Sequence, residues 1–469
     1  MVEGGEGLLS LDVDEMPVIQ TFSVPDNEDG IAAPVRNSRP TILLINPWIY
    51  DFAAYDYFAR PLGLLYLAGW LRAQGFAVHL LDCLDVPHSR PGPGGTGRYP
   101  KEIVPTPAPL SDIPRRYGRY GLTEVDFRSR LSRLPRPDVI LVTSLMTYWY
   151  PGVTTAIALV REHFPEVPVI LGGIYASLCP DHARANSGAD LVLPGPWETG
   201  LPPHLAGLGL GRPSVPDSLD ALPYPALDLL AQLSYIPILA SRGCPLDCDY
   251  CASKLLQPAF RPRHPHAVAA ELRHWQDHLG LQDVAFYDDA LLINAPDHLL
   301  VILEELLRQG CTLRYHTPNG LHARLITREV AGWLKRAGFA ALRLGVETTA
   351  LGEDRADRKL QAGELEAALA CLREAGFPPK AIGVYLLAGL PGQDETVVAA
   401  SIHRVKQLGA TPVLAYYSPI PGTTLWRRAC ECSRYDLAAE PLCHNNSLFP
   451  CLPQFSWDSH NRLKHLAAA

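Results

Sequence analysis

The chain has 469 residues, of which 47% are hydrophobic and 19% are charged, and its formal net charge is −8. A chain of this length exceeds what one hydrophobic core usually organises, so we expect two domains with additional tails. The acidic balance and the mixing of both charge signs exclude the basic surface that binds nucleic acid or anionic membranes, and they favour a small-molecule or peptide substrate.

The cysteines indicate the compartment. The sequence contains 11 of them but shows no secretory signal pattern, so we expect reduced thiols or metal ligands in a cytoplasmic protein rather than a disulfide framework. Residues 139–160 are apolar enough to suggest a membrane span. Pro151, Gly152 and several hydroxyl residues interrupt this stretch, and we therefore predict a strand, a loop and a helix there, with no membrane span.

The first part of the chain is predicted to form a Rossmann-like domain. Residues 1–38 are acidic, rich in Gly and Pro and without periodicity, which predicts a flexible tail. From Thr41, short apolar runs alternate with amphipathic helices, the first from Pro61 to Gly75, as is typical of a doubly wound parallel α/β domain over residues 39–212. The predicted strands are Ile42–Ile45, Val78–Leu81, Val139–Val142, Val169–Leu171 and Leu191–Leu193.

The second part is predicted to form an open, partial (β/α)6 barrel. Residues 213–235 contain several prolines and indicate a linker, residues 236–425 repeat strands and helices, and residues 426–469 are an irregular extension. In such barrels the functional groups lie on the loops that follow the strands. The predicted strands are Ile236–Ala240, Val284–Tyr287, Leu313–His316, Leu342–Val346, Ile382–Leu387 and Val413–Tyr417.

One loop, directly after the first barrel strand, carries Cys244, Cys248 and Cys251 in a C-x3-C-x2-C pattern. Three thiolates can hold three irons of a four-iron cluster and leave the fourth iron without a protein ligand. The amino and carboxylate groups of a methionine moiety can bind that iron, and one low-potential electron then breaks a carbon–sulfur bond at the sulfonium and yields a carbon radical. The alternative is a zinc site or buried thiols. A zinc knuckle needs a fourth ligand nearby, whereas the neighbouring His264 and His266 are predicted to open a helix.

This loop, its place after the first strand and the aromatic Tyr250 resemble the radical S-adenosylmethionine superfamily over about residues 236–425. The resemblance implies a 4Fe-4S cluster and S-adenosylmethionine as cofactors, and an electron donor such as flavodoxin or ferredoxin as a partner. Where the family commonly has Gly-Gly-Glu after the second strand, this chain has Tyr287-Asp288-Asp289.

The resemblance also implies which residues contact S-adenosylmethionine. Each has a structural alternative, such as a helix cap, a loop carboxylate or an ordinary turn, but all follow successive strands at the same end of the barrel. Besides Tyr250 in the cysteine loop, these residues are Asp288 and Asp289 for the methionine amino group, Asn319 as a further polar contact, Glu347 for the ribose, and Gly389, Pro391 and Gly392 for the adenine.

The amino-terminal half resembles the cobalamin-binding domains that precede radical S-adenosylmethionine domains. Loops after its third and fourth strands should meet at the carboxyl edge of the sheet, where glycine lets a large planar ligand approach the backbone. The Asp-x-His-x-x-Gly loop that supplies a histidine to cobalt is absent, since residues 46–60 contain no His. Either cobalamin binds without a protein imidazole or the domain keeps only the fold. The implied cobalamin contacts are Thr143, Leu145, Thr147, Gly172 and Gly173.

Together these features predict a cobalamin-dependent radical enzyme that methylates an unactivated carbon of a small molecule. A carbon radical must meet its methyl donor without diffusing, so we expect the loops after Val142 and Leu171 to face the mouth of the barrel. One alternative is a cyclase or rearrangement enzyme that transfers no methyl group, and another is a non-catalytic metal-binding or regulatory module. A methylthiotransferase would need a second cysteine triad, whereas residues 39–212 contain only Cys83 and Cys179.

The extension contains four more cysteines. Their spacing matches no ligand pattern, so we predict no second cluster there. These residues are Cys430, Cys432, Cys443 and Cys451.

Overall fold

A computed structural model describes residues 39–350, 357, 359–452 and 456–469. The predicted flexible tail, residues 1–38, lies outside this part of the chain. A five-stranded and a six-stranded parallel sheet, each covered by helices, make up most of the described structure. The α/β class predicted from the sequence is therefore confirmed.

The first sheet has the order β5-β4-β3-β1-β2, with all strands parallel. Its central strand β3 reads Val-Ile-Leu-Val and is buried throughout, because helices cover both faces of the sheet. The direction in which strands are added reverses between β1 and β3, and ligands of such sheets bind outside the carboxyl ends at this point. The strands are β1 (Thr41–Asn46), β2 (Ala77–Asp82), β3 (Val139–Val142), β4 (Val169–Leu171) and β5 (Leu191–Val192).

Helices connect these strands. The first begins directly after Pro61, whose fixed φ suits a first helical turn, and ends just before Gly75, which has a φ of +90°. The helices are α1 (Leu62–Ala73), α2 (Glu124–Leu131), α3 (Tyr150–His163), α4 (Ile174–Leu178), α5 (Pro180–Asn186) and α6 (Trp197–Gly207).

Two small antiparallel sheets, which the sequence did not predict, lie in the segments after β1 and β2. Their strands have two or three residues and stand among Pro and Gly, so no period of two can develop. They are Ile49–Asp51, Tyr55–Asp56, Arg90–Pro91, Gly97–Arg98, Lys101–Ile103 and Gly118–Tyr120.

The second sheet is the predicted partial barrel, in which six parallel strands follow one another in chain order. Gly280 and Gly338 end two of its helices in the left-handed conformation. The strands are β6 (Ile236–Ile238), β7 (Asp283–Phe286), β8 (Arg314–His316), β9 (Phe339–Glu347), β10 (Ile382–Ala388) and β11 (Thr411–Tyr416). The helices are α7 (Ser253–Leu256), α8 (Pro265–Leu279), α9 (Leu299–Arg308), α10 (Arg328–Ala337), α11 (Glu364–Glu374) and α12 (Glu395–Gln407).

The C-terminal segment contains α13 (Trp426–Cys432) and α14 (Trp457–Ala468). It contacts both the amino-terminal half and the barrel. Asn445 donates a hydrogen bond of 3.1 Å to the carboxylate of Asp51 in the amino-terminal half, while α14 packs against α12 and β11. Cys443 and Cys451 are buried in an apolar cluster of this segment. The segment thus joins the two halves of one compact unit, Arg39–Ala469.

None of the helices in the described part of the chain combines the length and the apolar character that a membrane span requires.

Candidate active site

A small cavity of about 130 Å³ lies at the mouth of the barrel, beneath the cysteine loop. The loops that follow β7, β8 and β9 form its other walls. The structure brings together the three predicted cluster ligands and three of the predicted S-adenosylmethionine contacts in this cavity. These lining residues are Cys244, Cys248, Cys251, Asp289, Asn319 and Glu347.

The cysteine loop is shaped by local pairing. A short antiparallel pair, Ser241–Arg242 with Arg261–Pro262, closes its base. Gly243 turns the chain at a φ of +80°, and a Cβ there would lie 2.6 Å from the carbonyl oxygen of Ala259. Only glycine therefore fits at the start of the loop. All three cysteines of the loop line the small cavity.

Burial dominates the electrostatics of two of these thiols. Burial raises the pKa of Cys244, and it raises the pKa of Cys248 to about 11. Metal binding would release both protons, because iron binds the thiolate. Within the described ranges, no three His, Cys, Asp or Glu side chains converge closely enough to hold a lone metal ion.

The neighbouring carboxylates after β7 have different surroundings. Asp288 is 3% exposed and accepts hydrogen bonds from the backbone N–H of Ala240 (3.0 Å) and the hydroxyl of Ser241 (2.6 Å), so it fixes the end of β6 beneath the cysteine loop. Burial raises the pKa of Asp288 to about 6. Asp289 instead lines the cavity and accepts a hydrogen bond from Ser253. Burial raises its pKa as well.

Glu347 ends β9 at a bulge, with a φ of +66° that is rare for residues other than glycine. Its Oε1 lies 3.0 Å from Nζ of Lys359, a cavity residue that the sequence analysis missed. Burial alone would lower the pKa of Lys359, but the Glu347 carboxylate reverses this effect and the pKa is raised. Lys359 therefore remains a cation. Its loop has no periodic pattern that could have indicated this role.

A second missed residue is His322, which lines the same cavity and is 4% exposed. Neither ring nitrogen has a hydrogen-bond partner among the residues that the structure describes, and burial lowers the pKa of His322 to about 4. Its position close behind Asn319 in the loop after β8 was the available signal. Asn319 itself donates hydrogen bonds to the carbonyl oxygens of Tyr287 (3.0 Å) and Asp288 (3.2 Å), which connects two loops at the barrel mouth.

The glycine-rich turn after β10 borders neither this small cavity nor the larger cavity between the amino-terminal sheet and the barrel. The side chain of Gln393 accepts a hydrogen bond of 2.7 Å from the N–H of Gly389 and stabilises the turn. Pro391 is buried and Gly392 is exposed within it. Contact between this turn and the adenine stays a prediction. Tyr250 lies beside the site, where its ring packs 5.5 Å from Nζ of Lys359.

A larger cavity of about 490 Å³ separates the amino-terminal sheet from the barrel mouth. The loops after β3 and β4 therefore face the barrel, as expected from the need to join two reacting groups. Ser253 and Asp289 line this cavity and the small one. From the amino-terminal half the lining residues include Thr143, Ser144, Leu145, Gly172 and Gly173.

The two adjacent glycines after β4 differ in what surrounds them. A Cβ on Gly172 would meet nothing closer than 3.9 Å, so its face is open to the cavity. Gly173 has a φ of +92°, and a Cβ there would lie 2.4 Å from the carbonyl oxygen of Ser144. The hydroxyl of Ser144 also donates a hydrogen bond of 2.6 Å to the carbonyl oxygen of Gly172. Gly173 is thus required by loop packing, while Gly172 leaves space for a ligand.

Thr147, also a predicted cobalamin contact, lies away from the cavity. Its hydroxyl is 2.8 Å from Nδ1 of His444, whose Nε2–H donates to the carbonyl oxygen of Leu437. The hydroxyl therefore donates to the imidazole and links the loop after β3 to the C-terminal segment.

The larger cavity continues into an apolar slot between the first sheet and two of its helices, α1 and α6. Open glycine faces at Gly63 and Gly195 border the same cavity, and a Cβ on either would meet nothing within 4 Å. A cavity whose inner part is apolar and whose wall is formed by exposed backbone suits a large ligand with a flat face. The slot is lined by Leu64, Leu67, Leu141, Ile170, Leu193 and Leu201.

Known proteins resemble this chain in sequence. Residues 238–405 match the family model of the Radical SAM superfamily. An uncharacterized methyltransferase of Pyrococcus horikoshii is 22% identical over 330 residues, which are 62% of this chain and 69% of that protein. A cytidylyl-2-hydroxyethylphosphonate methyltransferase of Streptomyces wedmorensis is 22% identical over 411 residues, which are 74% of this chain and 72% of that protein.

A solved structure resembles this chain in fold. The radical S-adenosylmethionine methyltransferase TsrM from Kitasatospora setae, with cobalamin and a 4Fe-4S cluster bound, has a TM-score of 0.64 and 16% identity, covering 92% of this chain and 91% of that chain. The likeness confirms the predicted architecture of a Rossmann-like half followed by a partial barrel.

Proposed function

We propose that this chain, whose residues 238–405 form a radical S-adenosylmethionine domain, is a cobalamin-dependent methyltransferase that acts on an unactivated carbon of a small molecule. The observation that carries the proposal is the shared wall of the two cavities. Ser253 and Asp289 border both, so groups bound in each would meet there. The two curated relatives and the solved structure described above are themselves methyltransferases.

The small cavity has the donor set for a cluster. Cys244, Cys248 and Cys251 offer three thiols on one loop, which suits a four-iron cluster with one iron open to a further ligand. When bound, the cluster, S-adenosylmethionine and cobalamin supply a substrate radical and the methyl group that joins it. An electron donor such as flavodoxin or ferredoxin would reduce the cluster in the cytoplasm.

The remaining polar groups of the small cavity fit S-adenosylmethionine. Asp289 presents a carboxylate next to the cysteines and can accept hydrogen bonds from the methionine amino group. Glu347, held by Lys359, can accept hydrogen bonds from the ribose hydroxyls. Both carboxylates are fixed by a neighbouring side chain, so the ligand is oriented by groups that are already in place.

The larger cavity fits cobalamin through its open backbone wall. Gly63, Gly172 and Gly195 present faces that any Cβ would fill, and the apolar slot beside them excludes water. Residues 46–60 contain no histidine, so we propose that cobalt receives no imidazole from the loop after β1. Thr143 and Ser144 supply polar groups at the rim of the same cavity.

The experiment that tests this function follows the methyl group. Anaerobically reconstituted protein, cobalamin and a reductant are incubated with a small-molecule cell extract and S-adenosylmethionine carrying a deuterated methyl group. We expect one metabolite to gain the deuterated methyl group, and a matched reaction with Cys248→Ala to yield none. An isomerised product without label would favour the cyclase alternative, and a protein that binds a cluster but never cleaves S-adenosylmethionine would contradict an enzymatic role.

A further inference from the structure

Lys359 lies inside the small cavity, in a role that nothing in the sequence pattern assigns. Its side chain is 14% exposed and shares the cavity with all three cysteines of the loop. Its Nζ lies 3.0 Å from Oε1 of Glu347 and 5.5 Å from the ring centroid of Tyr250. This half-buried cation therefore contacts both the end of β9 and the cysteine loop.

The backbone at Lys359 is also tied to the cysteine loop. Asp357 is 4% exposed, and its Oδ1 accepts a hydrogen bond of 3.0 Å from the backbone N–H of Lys359. Its Oδ2 accepts a hydrogen bond of 3.4 Å from the hydroxyl of Tyr250. These two hydrogen bonds hold the backbone at Lys359 next to the cysteine loop. The position of the ammonium group therefore does not depend on the flexible lysine side chain alone.

The charge of Lys359 acts on the cysteines directly. Lys359 lines the same small cavity as Cys244 and Cys248, so its positive charge lies next to any group that these thiols hold. Glu347 carries the opposite charge in contact with Lys359. The local field at the cysteine loop therefore depends on this ion pair.

We propose that Lys359 is a positioning residue whose fixed charge sets the reduction potential of the cluster, and that Glu347 opposes it. The inference rests on the proposed function, because it requires a cluster on the three cysteines. Reduction adds negative charge to a cluster, so a nearby cation stabilises the reduced state and raises the potential. The effect is stronger at a buried site, where the effective dielectric constant is lower than in water.

The test is the midpoint potential of the reconstituted cluster, measured by electron paramagnetic resonance during a redox titration without S-adenosylmethionine. Lys359→Gln should shift the midpoint to a more negative potential, and Lys359→Arg should keep it near that of the unmodified protein. Glu347→Gln leaves the cation without its counter-charge and should shift the midpoint in the positive direction. Opposite signs from two adjacent residues are the signature of a charge effect.

A matched control is available on α7, directly after the cysteine loop. Lys254 forms an ion pair with Asp247 of that loop, but its side chain is 42% exposed. Lys254→Gln removes the same charge at a site that water and salt screen, so we expect an unchanged midpoint. The shift in Lys359→Gln should persist at raised ionic strength.

A Lys359→Gln protein with unaltered iron content and an unaltered midpoint would overturn the inference, and so would shifts of equal sign in the Lys359 and Glu347 variants. If Lys359→Gln retains no cluster, the sign of the Glu347→Gln shift decides alone. An unaltered midpoint in Glu347→Gln would then overturn the inference. Failure of the proposed function is distinguishable, because the unmodified protein would then assemble no cluster or transfer no methyl group.

Discussion

The hydroxyl of Ser253 donates a hydrogen bond of 3.0 Å to a carboxylate oxygen of Asp289, and both residues border the two cavities. This pair therefore forms part of the wall that the two cavities share. Asp289→Asn should reduce the affinity for S-adenosylmethionine by roughly ten- to a hundredfold, because a hydrogen bond to a charged group contributes about 1.5–3 kcal/mol. Equilibrium binding to the reconstituted protein measures the effect.

The adjacent Asp288 provides the control. Asp288→Asn removes one of two buried hydrogen-bond acceptors that hold the end of β6, so the free energy of unfolding should fall by about 1–3 kcal/mol. Asp289→Asn should leave that free energy unchanged within about 0.5 kcal/mol. Equal losses of ligand affinity in both variants, measured on protein with full iron content, would contradict the distinct roles.

The cysteine loop makes a sharper prediction. Reconstituted protein should hold about four irons per chain, and Cys248→Ala should lose both this iron and the reductive cleavage of S-adenosylmethionine. Cys371→Ala is a matched substitution on α11, outside both cavities, and should retain both. Cleavage that survives in Cys248→Ala after reduction would show that the loop does not hold the cluster.

The two glycines after β4 allow ligand binding to be separated from folding. Gly172→Val places a side chain in open cavity space and should weaken cobalamin retention while leaving the melting temperature unchanged. Gly173→Ala forces a Cβ against the backbone of Ser144 at a positive φ and should destabilise the fold by about 1–3 kcal/mol. Absorption titration with cobalamin and thermal melting together distinguish these outcomes, and unaltered retention in Gly172→Val would contradict binding at this wall.

His444 should make stability depend on pH. Burial lowers the pKa of His444 from 6.5 to about 4. Between these values the unfolded chain binds a proton that the folded chain does not, so this contribution to stability is complete above pH 6.5 and is lost as the pH falls toward 4. The size of the effect is about 3 kcal/mol.

Comparison with His444→Gln isolates this contribution, since burial raises the pKa of Asp82 and Asp288 to about 6 and these carboxyls act in the opposite direction. The difference in unfolding free energy between the unmodified protein and the variant, measured with urea, should shrink as the pH falls from 7 to about 4.5. A difference that stays constant over this range would show that folding does not change the pKa of His444.

Much of the fold could be predicted because continuous apolar runs identify strands that are buried on both faces. The strands β3 and β4 match their predicted bounds residue for residue. The strand β9 begins earlier than predicted, at Phe339, because pairing with Tyr315 of β8 extends a segment whose alanines carry no strand signal. Such pairing is a tertiary effect that local sequence does not encode.

The candidate site could be predicted only where its residues are close in sequence. Three cysteines on one loop make their own pattern, whereas Lys359 and His322 reach the cavity because of the paths of the loops after β9 and β8. Thr147 shows the converse case. Its position after β3 suggested a ligand contact, but its hydroxyl is bonded to His444, a residue 297 positions away that no local pattern could connect to it.

The bond between Asp51 and Asn445 joins residues 394 positions apart. It cannot form until synthesis has passed residue 445, so both halves of the chain are made before the segment that fastens them is available. Contacts of such sequence separation are slow to form, and they leave apolar surface exposed while they are missing. The apolar surface that this segment covers, which includes Phe52, Leu110, Ile113 and Tyr117, is therefore a place where newly made chains are prone to aggregate, and slow synthesis at low temperature should increase the yield of folded protein.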